Sequence, residues 1–330
     1  MEKYFITTID TEADWFSFKE NQVTNIFGVH YLQELCDIYN IKPTYLITYE
    51  IATKSESVSV LKKYSDQNLC EIGHHLHVWS TPPFFKPNEF GVEESLLEGI
   101  QAELPEQLFS EKMLTLHKVI ERNFGVTPRS HRAGKWGVDN RTLSWLEEHN
   151  YIADSSLAPY NILNKVKGIK KTLSHNGVKI PNHPYYPSKH NISKISSFED
   201  ARTLIEVPVT GIKGDFLKNL KGASLIRSLL YKCGYKGVGS MMFRPSDIRI
   251  PLNVFEHLAR KLFESEIQWV NFMFHSNELC LGTSPYSKKK SLNEKVRSKI
   301  ECAFRLAKEY HFTSIFLKDS LVMYKKGHDI

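Results

Sequence analysis

Tyr4-Phe5-Ile6-Thr7-Thr8-Ile9-Asp10-Thr11-Glu12 begins with six β-branched or aromatic residues and ends in two acids one residue apart. An unbroken run of that kind, free of glycine and proline, predicts a buried strand, because such side chains suit a pleated backbone. Similar runs recur at Pro43 to Thr48, Cys70 to His75, Tyr151 to Asp154, Leu204 to Thr210, Trp269 to His275 and Thr313 to Leu317. Between several of them the apolar residues change to a helical spacing. Val23 to Tyr39, Leu96 to Phe124, Asp139 to His149, Ile250 to Glu264 and Leu292 to Lys308 all predict amphipathic helices, the third opening on a good capping aspartate. Strands alternating with helices imply parallel pairing through right-handed crossovers, hence an α/β sheet or a closed barrel. There is no internal repeat and no low-complexity linker, so one continuous domain over 1–330 is the simplest organisation. Segments 155–203 and 211–245 fit the alternation poorly, are rich in Lys, Gly, Asn and Pro, and read as long excursions over one face.

The composition narrows the class. With 41% hydrophobic and 24% charged residues, the 330-residue chain has globular proportions. The five cysteines are scattered and form no CxxC pair, which argues against a disulfide framework or a thiolate zinc site and suits a reducing compartment. The N-terminal stretch lacks the basic start and longer apolar core of a signal peptide, and no apolar run approaches the length of a membrane span. A cytoplasmic protein is the expectation. The net charge of +6 is modest and partly clustered at Lys165 to Lys171 and Lys288 to Lys290, read as solvated loops. Nothing in it points to nucleic acid.

Chemistry is expected where strand-like runs end in polar residues, because parallel α/β folds place their sites at the carboxyl ends of strands. Asp10 and Glu12 meet that condition and would share a face if the strand continued, although acids after a strand also cap helices. Glu71-Ile72-Gly73-His74-His75-Leu76-His77-Val78-Trp79 places three of the fourteen histidines within four positions. With the first-strand acids they would form the mixed nitrogen and oxygen donor set that suits zinc or another divalent transition metal. Ser130 to Gly137 contains Arg132, which can pair with a carboxylate at the barrel mouth or lie on the surface. Trp269 to Glu278 is an apolar strand ending at His275, placed either as a general acid or as a buried structural histidine.

In this order, these four stretches resemble the motifs of the polysaccharide deacetylase (NodB-homology, carbohydrate esterase) family. The resemblance implies a distorted (β/α) barrel of the glycoside hydrolase/deacetylase type with long surface insertions, removing acetyl groups from sugars with a bound divalent metal, expected to be Zn2+. It implies Asp10 as catalytic base, Glu12 and His75 as metal ligands, Arg132 as the arginine that orients the base, and His275 as the acid. The family usually spaces its two metal histidines four apart, and four on from His75 is Trp79. The second ligand is then His77 or comes from elsewhere, with His74 as a substitute. Asp154, in Tyr151-Ile152-Ala153-Asp154-Ser155-Ser156, is the candidate for the remaining motif and for lining the pocket. Trp79, Trp136 and Tyr286 are candidates for stacking on sugar rings, or else core. Phe274-His275-Ser276-Asn277-Glu278-Leu279 resembles a subgroup associated with surface-polysaccharide assembly. The resemblance thus implies metal-dependent removal of an acetyl group, N-acetyl before O-acetyl, from an acetylated saccharide. The lack of an export signal, rather than the resemblance, makes a nucleotide- or lipid-linked intermediate the expected form of that substrate. A hydrolase of another C–N or glycosidic bond and a non-catalytic sugar-binding protein are the competing expectations.

Overall fold

In the computed structural model, residues 2–86, 89, 98–159, 180–212, 241–248 and 250–327 are described. The strands are β1 (Tyr4–Thr11), β2 (Pro43–Ile47), β3 (Glu71–Leu76), β4 (Ser130–Ala133), β5 (Ala153–Asp154), β6 (Ile205–Glu206), β7 (Gly211–Ile212), β8 (Met241–Met242), β9 (Trp269–His275) and β10 (Thr313–Ile315). Among the described residues, all but β7 and β8 join one eight-stranded sheet in which every pair is parallel. The helices are α1 (Gly28–Tyr39), α2 (Tyr49–Thr53), α3 (Ser55–Ser65), α4 (Glu106–Phe124), α5 (Asn140–Glu148), α6 (Leu252–Glu264), α7 (Lys290–Glu309) and α8 (Ser320–Gly327). No described helix is long and apolar enough to cross a membrane.

β1 is the hub, with β9 along one side from Tyr4 to Asp10 and, on the other, β10 beside its first half and β2 beside its second. Because side chains alternate, each strand serves two environments. Phe5 and Ile9 face the helices in the large outer core, whereas Tyr4 and Ile6 join Leu46, Ala153, Ile205, Val207, Trp269, Ile315 and Leu317 inside the curl. The sheet is closed by a few main-chain and side-chain hydrogen bonds rather than by regular pairing. Beyond β6 the Val207 and Val209 amides still donate to the Asp154 (2.8 Å) and Leu157 (2.9 Å) carbonyls, while Pro208 between them has no N–H to offer the β9 side. The Thr210 amide donates to the Asn271 carbonyl (3.0 Å), the Asn271 amide to Thr210 Oγ1 (2.8 Å), and Asn271 Nδ2 to the Val207 carbonyl (3.0 Å). The result is the distorted (β/α) barrel.

The regular elements are shorter than the expected runs at Tyr151 to Asp154, Leu204 to Thr210 and Thr313 to Leu317. α1 starts later than Val23, since Asp14 accepts the amides of Thr24 (3.1 Å) and Asn25 (2.9 Å) and draws 24–27 into a tighter 3-10 turn. Leu96 to Phe124 becomes α4, which begins after Pro105; residues 90–97 lie outside the described residues, as do Lys165 to Lys171 and much of both excursions. α5 is capped as expected, with Asp139 accepting the Thr142 amide at 2.8 Å.

The barrel floor is polar and closed. Glu71 is buried and accepts from Thr44 Oγ1 (2.8 Å), Ser130 Oγ (2.5 Å) and the Lys318 amide (3.1 Å), while the Leu317 amide donates to Thr44 Oγ1 (3.0 Å). Replacing Glu71 with alanine strands three donors without a partner, each costing about 1 kcal/mol or more. Urea denaturation of Glu71→Ala is expected to show a loss of about 3 kcal/mol in unfolding free energy.

Candidate active site

Parallel register assembles the site at the strands' carboxyl ends. Asp10 lies opposite His275 across β1 and β9, and His75 opposite Arg132 across β3 and β4. Arg132, fully buried, crosses the barrel. Its Nη1 donates to Asp10 Oδ1 (2.6 Å), its Nη2 to Thr8 Oγ1 and Ser155 Oγ (both 2.8 Å), and its Nε to the Ser155 carbonyl (2.7 Å). Burial opposes ionisation of Asp10, but the charge and hydrogen bond of Arg132, with the charge of His275, hold its carboxyl below the usual range.

The Arg132 carbonyl also fixes a neighbour. His75 Nδ1 lies 2.8 Å from it, and a carbonyl only accepts, so Nδ1 carries the proton and Nε2 presents a lone pair to the cavity. His77 Nε2 is 3.1 Å from His75 Nε2 and 3.3 Å from Glu12 Oε2, and the donor atoms of Glu12, His75 and His77 all lie within 4.8 Å of one another. Burial depresses His75 to about 4 and His77 well below its ordinary value, so both imidazoles are in the neutral, ligating form. Burial, with smaller repulsion from Asp10 and Glu50, pushes Glu12 up to about 7 against the pull of His275. Two neutral imidazoles and a carboxylate that is costly to ionise alone converge on one point. That donor set fits a divalent transition metal.

His275 closes the other side, its Nε2 3.9 Å from Asp10 Oδ2 and its Nδ1 3.0 Å from Glu278 Oε1. Burial disfavours its charge, yet the hydrogen bond to Glu278 and the charges of Glu12 and Asp10 outweigh burial and raise it to about 9.

His74 does not join this group. One residue from His75, it faces the helices, with Nε2 3.2 Å from the Met113 carbonyl. Asp154 is likewise on the outer face, bonded to His131 Nδ1 (2.6 Å), and does not line the cavity. Its neighbour Ser155 points inward and holds Arg132. Strand alternation is the signal for this: once Arg132 faces inward, the residue across from it must come from the inward-facing set. Asn271, bonded through Nδ2 to Ser155 Oγ at 2.9 Å, was not picked out by sequence, and neither was Glu278.

The cavity above these groups has a volume of about 420 Å³. Trp79, Trp136 and Tyr286 line it, joined among others by Trp15, Phe18, Glu98, Lys135 and Arg244. Trp79 lies 4.2 Å from the His77 ring, with Lys135 Nζ 4.6 Å above it, and Trp136 lies 5.3 Å from the Arg132 guanidinium. Lys135 and Trp136 both have left-handed backbones (φ 51° and 61°), rare for such residues and typical of functional turns. Gly134 precedes them. A Cβ there would sit 2.6 Å from His77 Cδ2 and would also collide with the Leu76 carbonyl, so only glycine lets this turn pack on the histidine.

No known family's sequence profile matches the chain, and no curated protein is detectably related by sequence. Solved structures do match its fold. One, named as a glycoside hydrolase/deacetylase from Parabacteroides distasonis, aligns over 98% of this chain and 71% of its own with a TM-score of 0.59 at 12% identity. Another, named as a polysaccharide deacetylase from Mycobacterium smegmatis, aligns over 99% and 91% with a TM-score of 0.53 at 14% identity. The 4-alpha-glucanotransferase of Thermococcus litoralis also matches, over 98% of this chain and 40% of its own, with a TM-score of 0.53 at 11% identity. The chain has the barrel fold of the polysaccharide deacetylases.

Gly134→Ala is expected to push the turn away from both the Leu76 carbonyl at the end of β3 and the His77 ring. The melting temperature should fall because the closest clash is with main chain, and isothermal titration of the folded variant with Zn2+ should show affinity reduced by about tenfold or more, as for other changes that misorient a ligand.

Proposed function

We propose that this chain is a metal-dependent deacetylase that hydrolyses an N-acetyl group on a saccharide. The observation that carries the proposal is the convergence in one cavity of the Glu12, His75 and His77 donors, the Asp10–Arg132 pair and His275. A divalent cation held by those three donors, Zn2+ in this reading, would polarise the acetyl carbonyl and acidify a water molecule. Asp10, kept ionised by Arg132, accepts the proton of the attacking water. Arg132 cannot itself take that proton, so it holds the base in place without competing with it. His275 carries its proton in the neutral range and faces Asp10 through Nε2, which suits it to protonate the departing sugar nitrogen. The products would be acetate and an amino sugar. Trp79, Trp136 and Tyr286 offer aromatic faces to sugar rings, and Lys135 and Arg244 on the same wall suit a phosphate-bearing substrate, as in nucleotide- or lipid-linked intermediates of surface-polysaccharide assembly in the cytoplasm.

Asp10→Asn is expected to keep the metal, measured by elemental analysis, while acetate release from an N-acetylated oligosaccharide falls by roughly 10²-fold or more. His75→Ala is expected to lose metal and activity together. Full activity in Asp10→Asn would remove Asp10 from the role of base. The pH dependence supplies a separate check. Glu278 favours the protonated form of His275, so Glu278→Gln lowers the folded-state pKa of the imidazole. The alkaline limb of kcat/KM should therefore move to lower pH, with the acid limb, set by Asp10, left in place.

A further inference from the structure

The exposed aromatic residues are not scattered. Trp15, Phe16, Phe27 and Phe84, 49%, 53%, 56% and 65% exposed, all follow the carboxyl ends of strands, on the face where the cavity opens. Leu281, 57% exposed, joins them at the tip of a turn whose next residue, Gly282, has φ 88°. Three segments are tied together there. The Trp15 amide donates to the Thr283 carbonyl (2.8 Å), Lys288 Nζ lies 6.0 Å from the centre of the Phe16 ring, and Cys280 Sγ contacts the Asn25 carbonyl at 3.4 Å. Gly28, beside Phe27, packs so closely on the 279–280 backbone that a Cβ would lie 2.7 Å from Leu279 Cβ. Trp15 and Tyr286, on two of these segments, also line the cavity.

Positive charge gathers on one segment of this rim, while the other segment is balanced. Residues 279–290 contain Lys288, Lys289 and Lys290, all exposed, and no acid. In residues 13–22, Asp14 is buried under Thr24 and Asn25, which leaves Lys19 and Glu20. Sugar platforms explain aromatic faces but not an exposed leucine and phenylalanine beside three lysines. Apolar side chains flanked by lysine are what an anionic bilayer surface selects, the first entering the interface and the second remaining with the headgroups.

We infer that the rim formed by Phe16, Phe27, Leu281 and Lys288 to Lys290 docks on an anionic lipid surface, so that the cavity opens toward a saccharide carried at that surface. The deacetylase reading enters only in naming the saccharide; docking itself is measured without turnover. The full chain is to be sedimented with vesicles of phosphatidylcholine alone and with vesicles containing roughly one-third phosphatidylglycerol. Expected are binding to the anionic vesicles that weakens with salt, and a loss of about tenfold or more in apparent affinity in Phe16→Ser/Leu281→Ser, at unchanged melting temperature. Lys288→Glu/Lys289→Glu should weaken binding without altering any apolar contact. The inference is overturned if the wild-type protein stays in the supernatant with both vesicles, or if both double variants bind as it does. It is equally overturned if the serine variant abolishes a concentration-dependent dimer seen by sedimentation velocity, because the face would then be covered by a second copy.

Discussion

The buried pair between Arg132 and Asp10 is the constraint on which the rest of the site depends. Placing a guanidinium at zero exposure inside a barrel is costly, and its attraction to one carboxylate does not by itself offset the desolvation. The remaining donors must be satisfied as well, and they are, by Thr8 from β1 and by the hydroxyl and carbonyl of Ser155 just beyond β5. One side chain on β4 therefore fixes the relative positions of three strand ends. Removing Asp10 would leave the fully buried guanidinium uncompensated, a change that typically costs about 3–5 kcal/mol. Geometry and ionisation of Asp10 thus have a single cause.

The main chain of the same residue sets the second half of the site. By accepting from His75 Nδ1, the Arg132 carbonyl dictates which nitrogen of that ring is free, and parallel register places the free one beside His77 and Glu12. Base and donors are consequently not independent. A shift of β4 that loosened the guanidinium from Asp10 would also turn the His75 lone pair away from the donor set. Gly134, two residues further, extends the dependence to His77 by permitting the close turn against its ring.

Much of this was legible in sequence because strand periodicity and strand-end chemistry are local properties. Asp10, His75 and His275 each close a strand-like run, whereas Arg132 follows Pro128-Arg129-Ser130-His131, where no run announces β4; the structure brings all four to one end of one sheet. Alternation also decides between His74 and His77, since only every second position from His75 onward faces inward. The misplacement of Asp154 has the same origin: with only two regular residues in β5, its facing could not be read from a pattern, and Ser155 holds the inward position. Asn271 and Ser155 escaped notice because neutral hydrogen-bonding residues inside a strand look like ordinary strand residues; their role exists only when the sheet curls and brings 210, 155 and 271 together. Pro208 explains why residue 208 offers no N–H on the β9 side, but closure through Thr210 is a long-range event that no window of sequence contains.

The fold limits what the chemistry can be without choosing it. Structures named as a deacetylase and as a glucanotransferase align with this chain at the same TM-score, so the backbone alone does not separate amide hydrolysis from glycosyl transfer. The side chains on the strand ends bear on the choice. A glycosidic mechanism uses two carboxyl groups flanking the bond, one of which must hold a proton. Asp10, held ionised by Arg132, and Glu12, raised to about 7 by burial, would meet that requirement in charge, but Glu12 Oε2 lies 3.3 Å from His77 Nε2 and shares one donor set with two neutral imidazoles, which a glycosidic pair does not call for. In the proposed reading, a carboxylate base, an imidazolium acid and a nitrogen and oxygen donor set between them suit attack of water on an acyl carbon, with the amine leaving on the side of His275. That reaction rests on three charge states, and each of them is imposed by a neighbour that can be named: Arg132 for Asp10, the barrel interior for His75 and His77, and Glu278 for His275.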